Sequence, residues 1–252
     1  MATNTKVHNQ PPPSSPPPTP PEIRFRPLRL SDLETLELIH AKIFPYGYNE
    51  DPSEVYKQVL SSEDGDDESM NTMKLGAVDS SRPDDESDQI IGYVVTTNVL
   101  ASHSEIANNI VVGGEPLSEN SENVLVYVMW LGVLEAYRNR GIGTYLMRKV
   151  IKHASSIPTC VGVYLHAVAE NKAAIKLYKK LSFKCVRRLR NYYPINGKLY
   201  DGLLFVHSLN GARYHRSPKD VVNLMLGHVR SGLKSVSTKL RKIKEERLHN
   251  HS

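Results

Sequence analysis

Cysteine is nearly absent: Cys160 and Cys185 are the only two, with no C-x-x-C pair and no histidine at zinc-ligand spacing. That excludes a disulfide scaffold or a zinc module and leads us to expect reduced core thiols, as in a cytosolic protein, and no bound metal. Long apolar runs are also missing. The longest, VLVYVMWLGVL from Val124 to Leu134, falls far short of the roughly 20 residues of a spanning helix. No signal-like apolar stretch stands ahead of the proline run near the first residue, so a chain that does not cross a membrane is expected.

Charge of one sign is scarce in each half. Residues 1–125 hold 8 Lys+Arg against 21 Asp+Glu, and residues 126–252 hold 24 against 6, an asymmetry that the net charge of +5 conceals. Each half therefore needs its own reading.

The stretch QPPPSSPPPTPP can supply neither a ladder nor a helix, and residues 1–22 are expected to form a disordered tail. IRFRPLRL then reads as a strand, and SDLETLELIHAKIF as an amphipathic helix with Ser31 and Glu34 spaced as a capping box. FPYGYNEDPSEVY opens as a punctuated loop, with three aromatic rings in FPYGY, and runs into a short helix near Pro52 to Leu60. Its rings suit a pocket wall or simple packing. Insertions are expected at about 61–72, 79–88 and 101–121, around a strand MKLGAV and a strand QIIGYVVTTNVL. Such insertions belong at a sheet edge.

From Val124 the pattern sharpens into an apolar strand, a glycine turn, a helix from about Gly141 to Ser155, a strand GVYLHAV and a helix NKAAIKLYKKL. FKCVRRLRNYYPINGKLYDGLLFVHSL follows, a hairpin closed by Asn196-Gly197. The fold class is a strand-rich α/β (α+β) domain. The helices are too few, and the last strands too clearly antiparallel, for a doubly wound dinucleotide fold.

The turn RNRGIGTYL, Arg138 to Leu146, leads from a buried strand into a helix. Unpaired N–H groups, the helix dipole and two arginines meet there, as a pyrophosphate requires, although a plain structural turn would look similar. A Walker loop needs Gly-Lys-Ser/Thr, whereas Gly143 is followed by Thr144-Tyr145. A dinucleotide fingerprint needs a third glycine and a later acidic residue, and neither is present. Coenzyme A remains as the common pyrophosphate carrier.

With these residues in view, LGVLEAYRNRGIGTYLM resembles the acetyl-CoA motif of the GNAT acyltransferase superfamily, and YLHAVAENKAAIKLYKKLSFK resembles its following motif. FPYGY, YLHAVAENKAAIKLY and NYYPINGKLYDGLLF, in that order, are most similar to amino-terminal acetyltransferases of the membrane-associated NatF type. The resemblance covers about residues 22–210 and implies a GNAT domain over 23–212, with a mixed twisted sheet of about seven strands flanked by helices. It further implies acetyl-CoA as cofactor. The backbone of Met129, Trp130, Leu131, Gly132 and Val133 would run along the pantetheine. Arg138, Asn139, Arg140, Gly141, Ile142, Gly143 and Thr144 would take the pyrophosphate, and Asn171 and Tyr178 the pantetheine and thioester end. A helix-starting polar residue and a core ring are the plain readings of the last two.

Transfer needs a neutral amine. An α-amine, with a pKa of about 7.7 to 8.0, reaches that state more readily than a lysine near 10.4, which favours α-amines without excluding lysine. The resemblance makes His166 the base and Tyr127 a second catalytic group that orients water or amine or relays a proton. Taken by themselves, both could be core residues. It makes Phe44, Pro45 and Tyr48 one wall of the substrate site and Tyr193 the other, for protein N-termini that keep Met before Lys, Leu, Ile or Phe.

In residues 213–252 an apolar stripe, Val222, Met225, Val229, Leu233, Val236, Leu240 and Ile243, opposes Lys234, Lys239, Arg241, Lys242 and Lys244. A basic amphipathic tail of this kind suits the surface of an anionic membrane. The resemblance adds the cytosolic face of the plasma membrane for a plant protein or of the Golgi for an animal one. A monomer or weak homodimer is expected. Nucleic acid is disfavoured, because the tail lacks stacking aromatics. A helix packed on its own domain, a lysine or small-amine acetyltransferase, and a non-catalytic acyl-CoA-binding scaffold stay open.

Overall fold

A computed structural model describes residues 20–43, 52–61, 72–83, 86 and 88–215. The proline tail, the loop with Phe44, Pro45 and Tyr48, most of the first acidic insertion and the basic tail from 216 lie outside the described residues.

Seven strands form one sheet: β1 (Ile23–Pro27), β2 (Lys74–Asp79), β3 (Ile90–Leu100), β6 (Val124–Val133), β7 (Cys160–Val168), β8 (Lys184–Ile195) and β9 (Lys198–Ser208). Their order is β1-β2-β3-β6-β7-β9-β8. Only β6 and β7 run parallel; the other neighbours are antiparallel. This agrees with the mixed sheet of about seven strands expected above. β7 is buried along almost its whole length, as a central strand covered on both faces must be.

Helices α3 (Ile142–Ser156) and α4 (Lys172–Lys180) cover one face. Ile142, Leu146, Met147, Val150 and Ala154 fall on one stripe of α3 and pack with Val126, Val163, Leu165 and Phe205 of the sheet. Helices α1 (Leu33–Ile43) and α2 (Pro52–Ser61) sit over a second cluster, in which Leu36, Ile39 and Tyr56 meet Tyr93, Val95 and Trp130. Among the described residues no helix is long and apolar enough to cross a membrane.

Three expectations are corrected. Ser31 and Glu34 do not cap α1. A short 3-10 turn, Leu30–Asp32, precedes the helix, and the Asp32 carboxylate accepts from Arg29 N at 2.8 Å. The same carboxylate holds the Arg26 guanidinium through two bonds of 2.7 and 2.8 Å, and that pairing decides which acid does the capping. Residues 101–121 are not merely a polar insertion. They carry two 3-10 turns and the strands β4 (Ile110–Val112) and β5 (Glu115–Pro116), which form a small sheet with β10 (Arg213–Tyr214). Ala101, Ile106 and Ile110 are buried there against Leu125, Val161 and Leu204. Nor does this segment leave from a sheet edge, because it joins the adjacent interior strands β3 and β6.

Candidate active site

The parallel ladder between β6 and β7 runs from Val124↔Cys160 to Tyr127↔Tyr164 and stops. Beyond that point β6 stays with β3 and β7 stays with β9, so the sheet splits. A bulge in the β3–β6 register between Val95 and Thr96 falls at Met129, and bulges re-aim side chains at such places. Tyr127, Met129, Leu131 and Val133 all line the split, a cleft of about 690 Å³.

The far wall comes from β7, α4 and the β8–β9 hairpin: His166, Ala167, Val168, Asn171, Ala174, Leu177, Tyr178, Tyr192, Tyr193 and Pro194. Arg138 and Gly143 close the end at the α3 N-terminus, and Ile43 contributes from α1. The sequence-predicted Tyr127, Met129, Leu131, Gly132, Val133, Arg138, Gly143, His166, Asn171, Tyr178 and Tyr193 thus share one cavity. Trp130 and Ile142 do not line it, since their side chains belong to the cores beneath α1–α2 and α3. Only their backbone can serve a ligand. Asn139, Arg140, Gly141 and Thr144 belong to the turn beside the cavity without lining it.

The turn has the conformation that its residues demand. Gly141 is the N-cap of α3 at φ 84°, and a Cβ there would meet nothing within 4 Å, so backbone alone faces the approach. No side chain caps the helix start, which leaves first-turn N–H groups for a ligand. Arg138 Nε donates to Val133 O at 3.1 Å, holding the guanidinium against the end of β6.

At the other end of the cleft, Tyr127 Oη lies 3.3 Å from His166 Nδ1, and the Tyr127 ring packs on Tyr164 with centroids 4.8 Å apart. The His166 side chain is only 6% exposed, and its Nε2 lies 2.8 Å from Glu105 Oε1. That contact is a close electrostatic approach whose direction misses a good hydrogen bond. Burial works to raise the Glu105 carboxyl, but the His166 ring and the Arg187 charge outweigh it and hold it below its usual range. Arg187 also fixes the backbone, donating to Glu105 O at 3.2 Å and to Asn109 Oδ1 at 3.1 Å. Burial, with Glu105 and Tyr192 nearby, pushes Tyr164 up to about 12, so that phenol keeps its proton at neutral pH.

Two participants were missed in the sequence. Glu105 sits in a segment that reads as polar insertion. Tyr192 stacks on His166, centroids 5.0 Å apart and 18° from parallel, with Tyr193 edge-on behind it at 4.9 Å. A register shift between Leu189 and Tyr193, with Asn191 at φ 54°, turns Tyr192 over the histidine. Asp201 holds that bulge by accepting from Asn191 N at 3.0 Å and Arg188 Nε at 2.8 Å. The Asn-Tyr-Tyr run within a strand was the available signal. Asn171 spends its Oδ1 on Ala174 N at 3.1 Å as the N-cap of α4, so its cap role coexists with its place on the cleft wall.

Residues 38–183 match the family model for GNAT acetyltransferases. Histone acetyltransferase MCC1 of Arabidopsis thaliana is 44% identical over 220 residues, which is 87% of this chain and 83% of the relative. N-alpha-acetyltransferase 60 of Danio rerio is 33% identical over 115 residues, 45% of this chain and 46% of that one. Crystal structures of Arabidopsis thaliana NAA60 with a bisubstrate analogue and with acetyl-CoA are 47% and 46% identical, each with a TM-score of 0.65. They cover 75% and 74% of this chain, and 99% and 98% of the solved chains.

Proposed function

The chain belongs to the GNAT acetyltransferase family, and from that premise we propose that it acetylates the α-amine of protein N-termini through a Tyr127–His166–Glu105 relay. It is an acetyl-CoA-dependent N-alpha-acetyltransferase, like the NAA60 proteins it resembles. The residues present fit that cofactor: an uncapped α3 start, an open Gly141, Arg138 at the cleft end, and a β6 whose ladder to β7 has ended. When bound, acetyl-CoA supplies an activated acetyl thioester.

The observation that carries the reading is Tyr127 Oη at 3.3 Å from His166 Nδ1, inside the cleft, with an ionised Glu105 on the opposite ring nitrogen. A carboxylate beside Nε2 favours the tautomer with its proton there and leaves Nδ1 to accept. Tyr127 then receives a proton from the substrate's α-ammonium, directly or through water, while passing its own to Nδ1; the neutral amine so formed is the nucleophile, and the proton held at Nδ1 is available to the thiolate that leaves. Glu105 stabilises the imidazolium that results. Because an α-amine loses its proton near pH 7.7 to 8.0, one such modest relay suffices.

We further propose substrates that retain the initiator Met before Lys, Leu, Ile or Phe. The apolar cleft wall of Ile43, Met129 and Pro194 supports an apolar first residue. Strand β10 places Arg213 and Tyr214 in the domain, so tethering to the cytosolic face of a membrane is proposed for the residues from 217 on, from the stripe of apolar and basic residues in the sequence. The name of MCC1 favours a second reading, acetylation of lysine in histones. Met-Lys peptides with the α-amine free or blocked decide between the two. Transfer only to the free α-amine supports the first reading, and undiminished transfer to the blocked peptide defeats it. Liposome flotation with and without residues 217–252 tests the tether, and lipid binding that survives the deletion counts against it.

A further inference from the structure

Asp79 closes β2 and is 4% exposed. Its Oδ1 accepts from Glu22 N at 3.1 Å, Ser81 N at 3.1 Å and Ser81 Oγ at 2.6 Å. Oδ2 accepts from Tyr137 Oη at 3.0 Å. A buried carboxylate costs stability unless such donors surround it. Three of the four donors are local to the β1–β2 end; the fourth reaches across to another part of the fold.

Tyr137 ends the 3-10 turn Glu135–Tyr137 and stands immediately before Arg138 and the glycine turn. Its backbone N donates to Leu134 O at 2.9 Å, and Leu134 N donates to Ile91 O at 2.9 Å, so the main chain is pinned to β3 on that side. The phenol pins the other side through Asp79. Arg140 lies over the Tyr137 ring, 5.9 Å from its centroid. Hydrogen bonding to a carboxylate makes a phenol ring more electron-rich and the cation a better neighbour. Neither Asp79 nor Tyr137 lines the cleft.

We propose that Asp79 is a positioning residue for the cofactor's pyrophosphate site, acting through Tyr137 on the turn that carries Arg138 and Arg140. The inference rests on acetyl-CoA occupying the cleft as set out above. It separates affinity for CoA from chemistry: the clamp shapes the anion site at one end and leaves the Tyr127–His166 pair at the other untouched.

The test uses the full chain with Tyr137→Phe, Asp79→Asn and the double variant, reading the Kd for CoA by calorimetry, the KM for each substrate, kcat and Tm. Each single variant is expected to weaken CoA binding about tenfold, as loss of a hydrogen bond to a charged group does, and to raise the KM for acetyl-CoA in step. The KM for peptide and kcat should stay within about twofold, since neither group reaches the reacting atoms. The double variant should be no weaker than the worse single one, because both break the same link. An unchanged Kd for CoA in Tyr137→Phe overturns the proposal, even with a lowered Tm. So does a fall in kcat at constant KM, or full additivity. Because CoA binding is read directly, a wild type that binds CoA without transferring acetyl defeats the proposed reaction and not this inference.

Discussion

Glu105 Oε1 stands 2.8 Å from His166 Nε2, joining a turn of the β3–β6 excursion to the middle of the sheet. The carboxylate faces the ring nitrogen turned away from Tyr127, so the three side chains form a line with a negative charge at the end away from the cleft. A carboxylate beside the imidazole stabilises the positive charge that proton transfer creates there, although Glu105 itself is partly open to solvent, with 36% of its side chain exposed.

Replacing His166 with Ala should lower kcat by about a hundredfold or more, the usual worth of a positioned general base. Binding of CoA, measured by calorimetry, should be unaffected. Tyr127→Phe should fall in the same direction, and near wild-type turnover in both would remove the relay.

Glu105→Gln preserves shape and removes charge. Turnover should drop about tenfold, with the KM for acetyl-CoA unchanged, as expected for a charge that acts on the proton transfer alone. Arg187→Met should have a smaller effect of the same kind, because it loosens the backbone that carries Glu105. Steady-state kinetics at fixed pH on both variants check this.

Gly202 faces Tyr192 so closely that a Cβ would lie 3.0 to 3.1 Å from three of its atoms. Gly202→Ala should therefore push Tyr192 off His166 and lower kcat/KM for peptide several-fold, at roughly the scale of a lost aromatic pair. Asp201→Ala should act alike by releasing the bulge at Asn191. Unaltered peptide kinetics in both would make the stack incidental.

His40 is buried between Tyr56 and Tyr93, its Nδ1 2.6 and 3.2 Å from their hydroxyls. Burial lowers its pKa to about 4 from an unfolded value of 6.5. Above pH 6.5 both states are neutral. Between there and about 4 the unfolded chain takes a proton that the folded chain refuses, so stability is lost as pH falls across that window. Thermal melts at pH 7 and 5 should show a larger drop for wild type than for His40→Gln, whatever the variant's own baseline.

What could be read in the sequence was what depends on near neighbours. The glycine turn, the stripe of α3 and the Asn196-Gly197 hairpin, both of whose central residues have positive φ, are settled within a few residues. So the strand bearing Tyr127 and the strand bearing His166 could be named, and the structure sets them side by side. Glu105, Asp79 and Asp201 escaped because each acts on a partner that only tertiary packing supplies. Tyr192 escaped for a different reason: the bulge after Leu189 breaks the two-residue alternation, and counting along the strand cannot say which ring faces in. The excursion after β3 misled because its apolar residues are sparse, yet Ala101, Ile106 and Ile110 are each buried.

The ladder that stops at Tyr127↔Tyr164 gives this sheet a third edge, in its interior. Outer edges invite strands from other chains and must be defended. This one lies at the bottom of a cleft walled by α4 and the hairpin, too narrow for a folded neighbour and wide enough for a slender ligand. Recognition and protection against misassembly are thus the same geometric fact: the edge left open to a slender ligand is the one that a neighbouring strand cannot reach.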